Sequence, residues 1–213
     1  MSIVGKHLIA ALAADDGSTR LKAALEIGSN PEPGLVETLV ARCAIEPDFY
    51  VRDMLTWALT RFPAEITVPK LLAELQSEHA QARSQALHTL SKIKDASTWP
   101  AITQSLLRDA DDEVARSAWR AAVVLVPDGQ RKDLAEELAV QLGRGNREMQ
   151  LSLSRALVAL GEEAVKPILE RAIASDNPDV RAHASTTERL LRDPDAALKL
   201  DVDQAKRIFV LGK

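Results

Sequence analysis

Asn177-Pro178-Asp179-Val180-Arg181-Ala182 is the stretch that decides the fold, because its pattern recurs along the chain. Asn177 is a residue type whose side chain accepts from the free N–H groups that open a helix. Val180 starts an apolar stripe and Arg181 follows it. With the arginine as anchor, the same column holds Arg20, Arg52, Arg83, Arg116, Gln150 and Arg181, at intervals of 32, 31, 33, 34 and 31 residues. Four positions before these anchors stand Asp16, Asp48, His79, Asp112, Asn146 and Asn177. Positions −1, +3, +7 and +10 are mostly apolar, as in Val51, Leu55, Leu59 and Phe62, or Met149, Leu153, Leu157 and Leu160. These offsets trace one stripe on a helix of about 3.6 residues per turn. The pattern predicts six copies of one capped amphipathic helix.

A second apolar run precedes each copy from Asp48 onward: Leu35 to Cys43, Leu71 to Leu75, Ile102 to Leu107, Leu134 to Leu142 and Val165 to Ile173. Pro69, Pro100 and Pro167 fall near the start of three of them, where the first helical N–H groups have no intrahelical acceptor. The unit is therefore helix A, tight turn, helix B. One such hairpin cannot bury its own stripe, and stacking hairpins joins the stripes into a continuous core. The expected fold is all-α: a right-handed α-solenoid of about six helix pairs, forming a single domain over residues 1–213. The pairs fall at about 2–28, 32–62, 64–93, 98–126, 128–160 and 162–192, with a short terminal capping pair at 193–213 built from Ala196–Leu200 and Asp203–Leu211. The B helices are expected to form the inner wall and the A helices the outer.

Three stretches carry a family resemblance: Asn177 to Ala182, Asp112-Glu113-Val114-Ala115-Arg116 and Tyr50-Val51-Arg52. They resemble the HEAT repeats, in particular the short bacterial PBS-lyase HEAT-like repeats, over about residues 2–192. That resemblance implies a structural ladder tying each unit to the next, made of Asp16, Asp48, Asp112 and Asn177 with Arg20, Arg52, Arg83, Arg116 and Arg181. His79, Gln150 and Glu188 depart from it. The class includes scaffolds, adaptors, lyases and DNA glycosylases, so the resemblance implies a fold without selecting a function.

Composition narrows the function. Of the 213 residues, 27 are basic and 31 acidic, for a net charge of −4. The first 106 residues hold 10 basic and 12 acidic side chains, leaving 17 and 19 for the rest, so neither half is basic. Affinity for nucleic acid comes largely from phosphate contacts, and this chain offers no basic track for them. Cys43 is the sole cysteine, which excludes an internal disulfide and any multi-thiolate metal site. The run from Leu8 to Ala14 after Lys6 has the look of a short leader, but its helical spacing fits an amphipathic first helix, and a cytoplasmic location is expected. No two of His7, His79, His88 and His183 share the spacing of a helical zinc pair, and His88 and His183 read as surface or cap histidines. Asp109, Asp111, Asp112 and Glu113 form an acidic cluster with Val114 where a calcium loop needs glycine, so they read as acids opening a helix. No catalytic residue, cofactor or metal ligand is expected.

The inner wall is what remains. Offsets +1, +4 and +8 oppose the core stripe and carry small or mildly apolar residues, either as a groove floor for another chain or as relief of crowding between helices. The candidate partner-binding residues are Asp53, Thr56, Trp57, Ser84, Leu87, His88, Ser117, Arg120, Leu151, Ser154 and Arg155. Trp119, at a core offset, is expected to pack between units. The expected activity is that of a non-enzymatic scaffold or adaptor holding a protein or peptide on the concave face, with no nucleic acid and no membrane; the sequence leaves the oligomeric state open. The alternatives are a HEAT-like enzyme: a DNA glycosylase with Asp53 as carboxylate, Trp57 as stacking wall and Arg120 at a phosphate, or a bilin lyase.

Overall fold

The computed structural model describes residues 3–193; the capping pair expected beyond Asp193 lies outside the described residues. Among the described residues there is no strand. Two compact units divide between Val126 and Pro127. The first holds the hairpins α1 (Ile3–Leu12) with α2 (Gly17–Ser29), α3 (Val36–Ile45) with α4 (Phe49–Leu59), α5 (Ala64–Glu74) with α6 (Ala80–Ile93), and α7 (Gln104–Leu107) with α8 (Asp112–Leu125). The second holds α9 (Arg131–Ala139) with α10 (Arg147–Ala159) and α11 (Glu162–Ile173) with α12 (Pro178–Arg192). Within the first unit α2, α4, α6 and α8 pack in succession, and α3 packs on α5; within the second, α10 packs on α12 and α9 on α11. The repeated apolar columns become these interfaces: Ile27, Leu55, Leu59 and Leu90 are fully buried in the first unit and Leu153 and Leu157 in the second.

The B helices start where the sequence places them, with one correction. Asp16, Asp48, Asn146 and Asn177 accept from backbone N–H groups two or three residues on, at 2.8 to 3.4 Å. In α8 the cap is Asp111, not Asp112; Asp111 Oδ1 accepts from Glu113 and Val114 at 3.0 and 3.1 Å. Adjacent aspartates offer two starts, and the helix takes the one that puts Val114, Ala118, Ala122 and Leu125, all buried, in the apolar column. Ala115 therefore holds the anchor position, and Arg116 leaves the ladder to pair with Glu113 at 2.7 Å on its own helix.

The fourth A helix is also shorter than its apolar run suggests. Residues Ala96–Ala101 form a 3-10 turn containing Pro100, and α7 is a single turn. Trp119 supports it: the side chain is buried, and its indole N–H donates to the Leu107 carbonyl at 2.8 Å. Pro69 and Pro167 sit in the middle of α5 and α11, which begin earlier than the prolines imply.

The anchor arginines act first within their own hairpin. Nη1 of Arg20 donates to the carbonyls of Ala14 and Asp15 at 2.9 and 2.7 Å. Arg52 does the same to Glu46 and Pro47, Arg83 to Ser77 and Glu78, and Arg181 to Ser175 and Asp176. Gln150, which departs from the motif in sequence, fulfils it in structure: its amide donates to the carbonyls of Gly143 and Gly145 at 3.4 and 3.3 Å.

Two of these arginines also tie hairpin to hairpin, through a carboxylate rather than through the cap residues the resemblance implies. Arg20 donates from Nε and Nη2 to both oxygens of fully buried Glu46, each at 2.8 Å. Arg42 joins at 2.7 Å and the Asp48 N–H at 2.9 Å. Arg83 holds Asp109 in the same fashion at 3.1 and 3.2 Å. Burial alone would raise the Glu46 carboxyl, but the donors from Arg20, Asp48 and Arg42 outweigh it and hold it at about 2. Its stabilisation is complete above the ordinary glutamate value of 4.5 and is lost as pH falls from there through about 2. Glu46→Gln leaves two guanidinium groups facing a neutral amide, so urea unfolding at pH 7 is expected to show a loss of about 3–5 kcal/mol. A loss below about 1 kcal/mol, the range of an exposed pair, would contradict this account.

Gly28 marks a second close contact. A Cβ there would meet the Trp57 ring at 2.3 and 2.8 Å and the Ala58 Cα at 2.9 Å. Alanine is ordinarily the better helix former by about 1 kcal/mol. Here overpacking of a ring against a backbone dominates, and Gly28→Ala is expected to lower stability by about 1–3 kcal/mol in the same urea assay.

Candidate functional site

In the first unit α4, α6 and α8 present a depression of about 210 Å³ lined by Phe49, Arg52, Asp53, Ser84, Gln85, His88, Glu113, Ser117 and Arg120. A further hollow of about 280 Å³ shares Arg52, Ser84, Gln85 and Glu113 with it and adds Ala80, Gln81 and Asp111. Five sequence-selected residues, Asp53, Ser84, His88, Ser117 and Arg120, are thus brought together. They arrive from three successive B helices because the repeat puts equivalent positions side by side.

The floor is polar and closed. Ser84 and Ser117 are buried, with their hydroxyl oxygens 3.4 Å apart across the α6–α8 contact. Arg120 donates from Nη2 to Ser117 Oγ at 3.0 Å and from Nε to the Arg116 carbonyl at 3.3 Å, which fixes its guanidinium on the rim. Half-buried His88 has its pKa lowered, first by burial and then by Arg120 and Lys92, with Asp53 opposing. A neutral imidazole, two arginines and an aspartate on small hydroxyl-bearing residues can form directional hydrogen bonds and ion pairs with another chain.

Several expected wall residues are elsewhere. Thr56 is buried, its hydroxyl 3.4 Å from that of Thr89 on α6, and Leu87 is wholly inside the core. Small side chains at these offsets serve close helix contact, as Ser84 and Ser117 also do. Trp57 lies across α2 at Gly28, with the Arg61 guanidinium 6.0 Å from its ring centre, and does not line the depression that Asp53 and Arg120 share. The trio invoked for a glycosylase is therefore not assembled around one cavity.

The sequence reading missed Phe49 and Tyr50, which are 65% and 74% exposed and meet edge to face with centroids 5.7 Å apart. Their signal was available: the equivalent first-turn positions of the other B helices hold Gly17-Ser18, Ala80-Gln81, Asp112-Glu113, Arg147-Glu148 and Pro178-Asp179.

The second unit has its own depression of about 260 Å³, lined by Arg147, Gln150, Leu151, Ser154, His183, Thr186 and Arg189. Leu151 and Ser154 were selected from sequence; Arg155 is exposed on α10 outside it. Ser154 is buried, and His183 is buried rather than a surface or cap residue. The Gly143 N–H donates to His183 Nδ1 at 3.0 Å, so the ring proton sits on Nε2, which donates to the Gln150 carbonyl at 2.9 Å. Thr187 donates to the His183 carbonyl and accepts from Ser154 Oγ at 2.7 Å. Burial lowers the His183 pKa against the opposing Gln150 carbonyl. Protonation also removes the acceptor for Gly143. The neutral ring therefore stabilises the fold fully above the ordinary value of 6.5, and that contribution is lost as pH falls through the folded value. Melting followed from pH 7.5 to 5 is expected to show a falling midpoint, with a flatter slope in His183→Asn; equal slopes would contradict the assignment.

Cys43 is buried among Leu39 and Val40, and burial pushes its thiol up to about 12, so it is an inert core residue. Among the described residues no group of three or more His, Cys, Asp or Glu side chains could hold a metal ion. No described helix is long and apolar enough to cross a membrane.

Residues 36–123 match the HEAT repeats. No curated protein sequence matches the chain. Among solved structures, an engineered protein is similar with a TM-score of 0.49 and 18% identity, covering 90% of this chain and 99% of its own. The complex of CpcE and CpcF of phycocyanin lyase from Nostoc sp. PCC7120 is similar with a TM-score of 0.50 and 19% identity, covering 90% of this chain and 78% of its own. At that identity the likeness is one of fold.

Proposed function

Residues 36–123 match the HEAT repeats, and from that premise we propose that the protein is a non-enzymatic scaffold that holds a protein or peptide on the B-helix face of its first unit. The observation that carries this reading is the depression across α4, α6 and α8, which lies largely within the matched repeats. Its rim offers an exposed aromatic, Phe49, together with Arg120, residue types enriched at protein interfaces. Asp53 and His88 add polar contacts that fix orientation. Its two serine hydroxyls meet each other and Ser117 also takes Arg120, which supports recognition as the chemistry of this lining.

The test replaces residues of the rim that the core does not need. Phe49→Ser combined with Arg120→Glu is expected to reduce partner recovery from native lysate at least tenfold, the equivalent of about 1.4 kcal/mol, with the melting midpoint little changed. Glu136→Gln, at an exposed position of α9, serves as the surface control and should leave recovery intact. Undiminished recovery by the folded double variant would sink the assignment to this face.

A further inference from the structure

Arg20, Arg52 and Arg83 stand at equivalent places in three hairpins, each with Nη1 pinned by two carbonyls of its own turn. Pinning fixes where the other edge of the planar guanidinium, Nε with Nη2, must point. For Arg20 and Arg83 that edge meets a carboxylate of the next hairpin, Glu46 and Asp109, held through both nitrogens. Each acid stands two residues before the next cap and also accepts that cap residue's N–H, from Asp48 and Asp111 respectively, at 2.9 Å. The hairpin after Arg52 has Ser77 at this place: its Oγ accepts the His79 N–H at 3.3 Å, so the register is the same. A serine hydroxyl is shorter than either acid and carries no charge. Among the described residues no ion pair forms to Arg52, and its side chain borders both hollows of the first unit.

We propose that Arg52 is an open rung: its Nε and Nη2 edge takes an aspartate or glutamate side chain of a bound protein segment, in place of the acid that the next hairpin supplies to Arg20 and Arg83. The chain itself shows twice that this pose selects a carboxylate with two parallel N–H donors, the strongest and most directional form of such a contact. The acids near Arg52 are largely committed elsewhere: Glu113 pairs with Arg116 at 2.7 Å, and Asp111 caps α8. Asp53 remains exposed beside it, opposed by Arg120 across the depression. Phe49 on the rim gives the same segment an apolar foothold. The proposal rests on the scaffold reading and names what kind of segment it binds.

The experiment follows arginine Nε–H resonances of the ¹⁵N-labelled full chain during titration with acetyl-hexaglutamate amide, whose only carboxylates are side chains. Arg52 Nε–H is expected to shift saturably, while Arg20 and Arg83, already filled, serve as internal controls and stay in place. In Ser77→Asp the rung closes internally: Arg52 Nε–H should begin at the position of the filled arginines and its response to the peptide should fall at least tenfold. A stationary Arg52, or one that moves no more than Arg20 and Arg83, overturns the proposal. So does an equal response to hexaglutamine with a free C-terminus or to inorganic phosphate at matched ionic strength, since either makes the site something other than a side-chain carboxylate receptor. Any of these failures leaves the Phe49 and Arg120 capture test untouched, so the open rung and the scaffold reading fail separately.

Discussion

The fold hangs on the short turn between helix A and helix B, where carbonyls, part-buried in four of the five turns held this way, look to a side chain for a donor. A side chain from the first turn of helix B reaches back and donates to two of them. Arginine does this four times and Gln150 once. Without those donors each turn would need water where neighbouring hairpins pack, and a buried carbonyl left unmet is expensive. With them the turn is held, and the crossing of helix B over helix A with it.

From a turn so held the ties between hairpins follow. A guanidinium held at one end can aim its other end, and in the first unit it aims at Glu46 and Asp109. Gln81 adds a tie in the opposite direction, donating to the carbonyls of Cys43 and Glu46. The second unit has the neutral analogue, His183 reaching back to Gly143 and Gln150. Hydroxyl pairs such as Ser84 with Ser117 and Ser154 with Thr187 then let the B helices lie close. The candidate binding face consists of what these ties leave over at the surface.

Much of this was legible in the sequence. Helix caps, apolar columns and the hairpin period are local signals, and Asp16, Asp48, Asn146 and Asn177 do what their side chains favour. The slip at Asp111 was not legible, because two adjacent aspartates cap equally well and Val114 and Ala115 both suit a buried position. Small residues misled for a related reason: a serine or threonine opposite the core stripe suits both a groove floor and a close helix contact, and for Thr56 and Ser154 the second prevails. His183 gave no spacing signal because its partners are backbone groups about 30 to 40 residues away. Five of the eleven selected binding residues, Asp53, Ser84, His88, Ser117 and Arg120, share one depression because offsets repeat faithfully between α4, α6 and α8 even where the exposure of each offset was misjudged.

Gln150 has a consequence of its own. An amide satisfies its turn without importing a formal charge, so the turn between α9 and α10 demands no counter-ion, and His183 can complete the joint there as an uncharged ring. At the turns the first unit is joined by largely buried ion pairs and the second by dipoles, while exposed pairs, Lys132 with Glu163 and Arg171 with Glu136, link α9 to α11 at the surface. Added electrolyte weakens ion pairs only to the degree that water reaches them and leaves the dipoles nearly alone, so it acts most on the exposed pairs between α9 and α11. One chain thus carries two kinds of mortar at its turns, and neither yields much to a change in the saltiness of its surroundings.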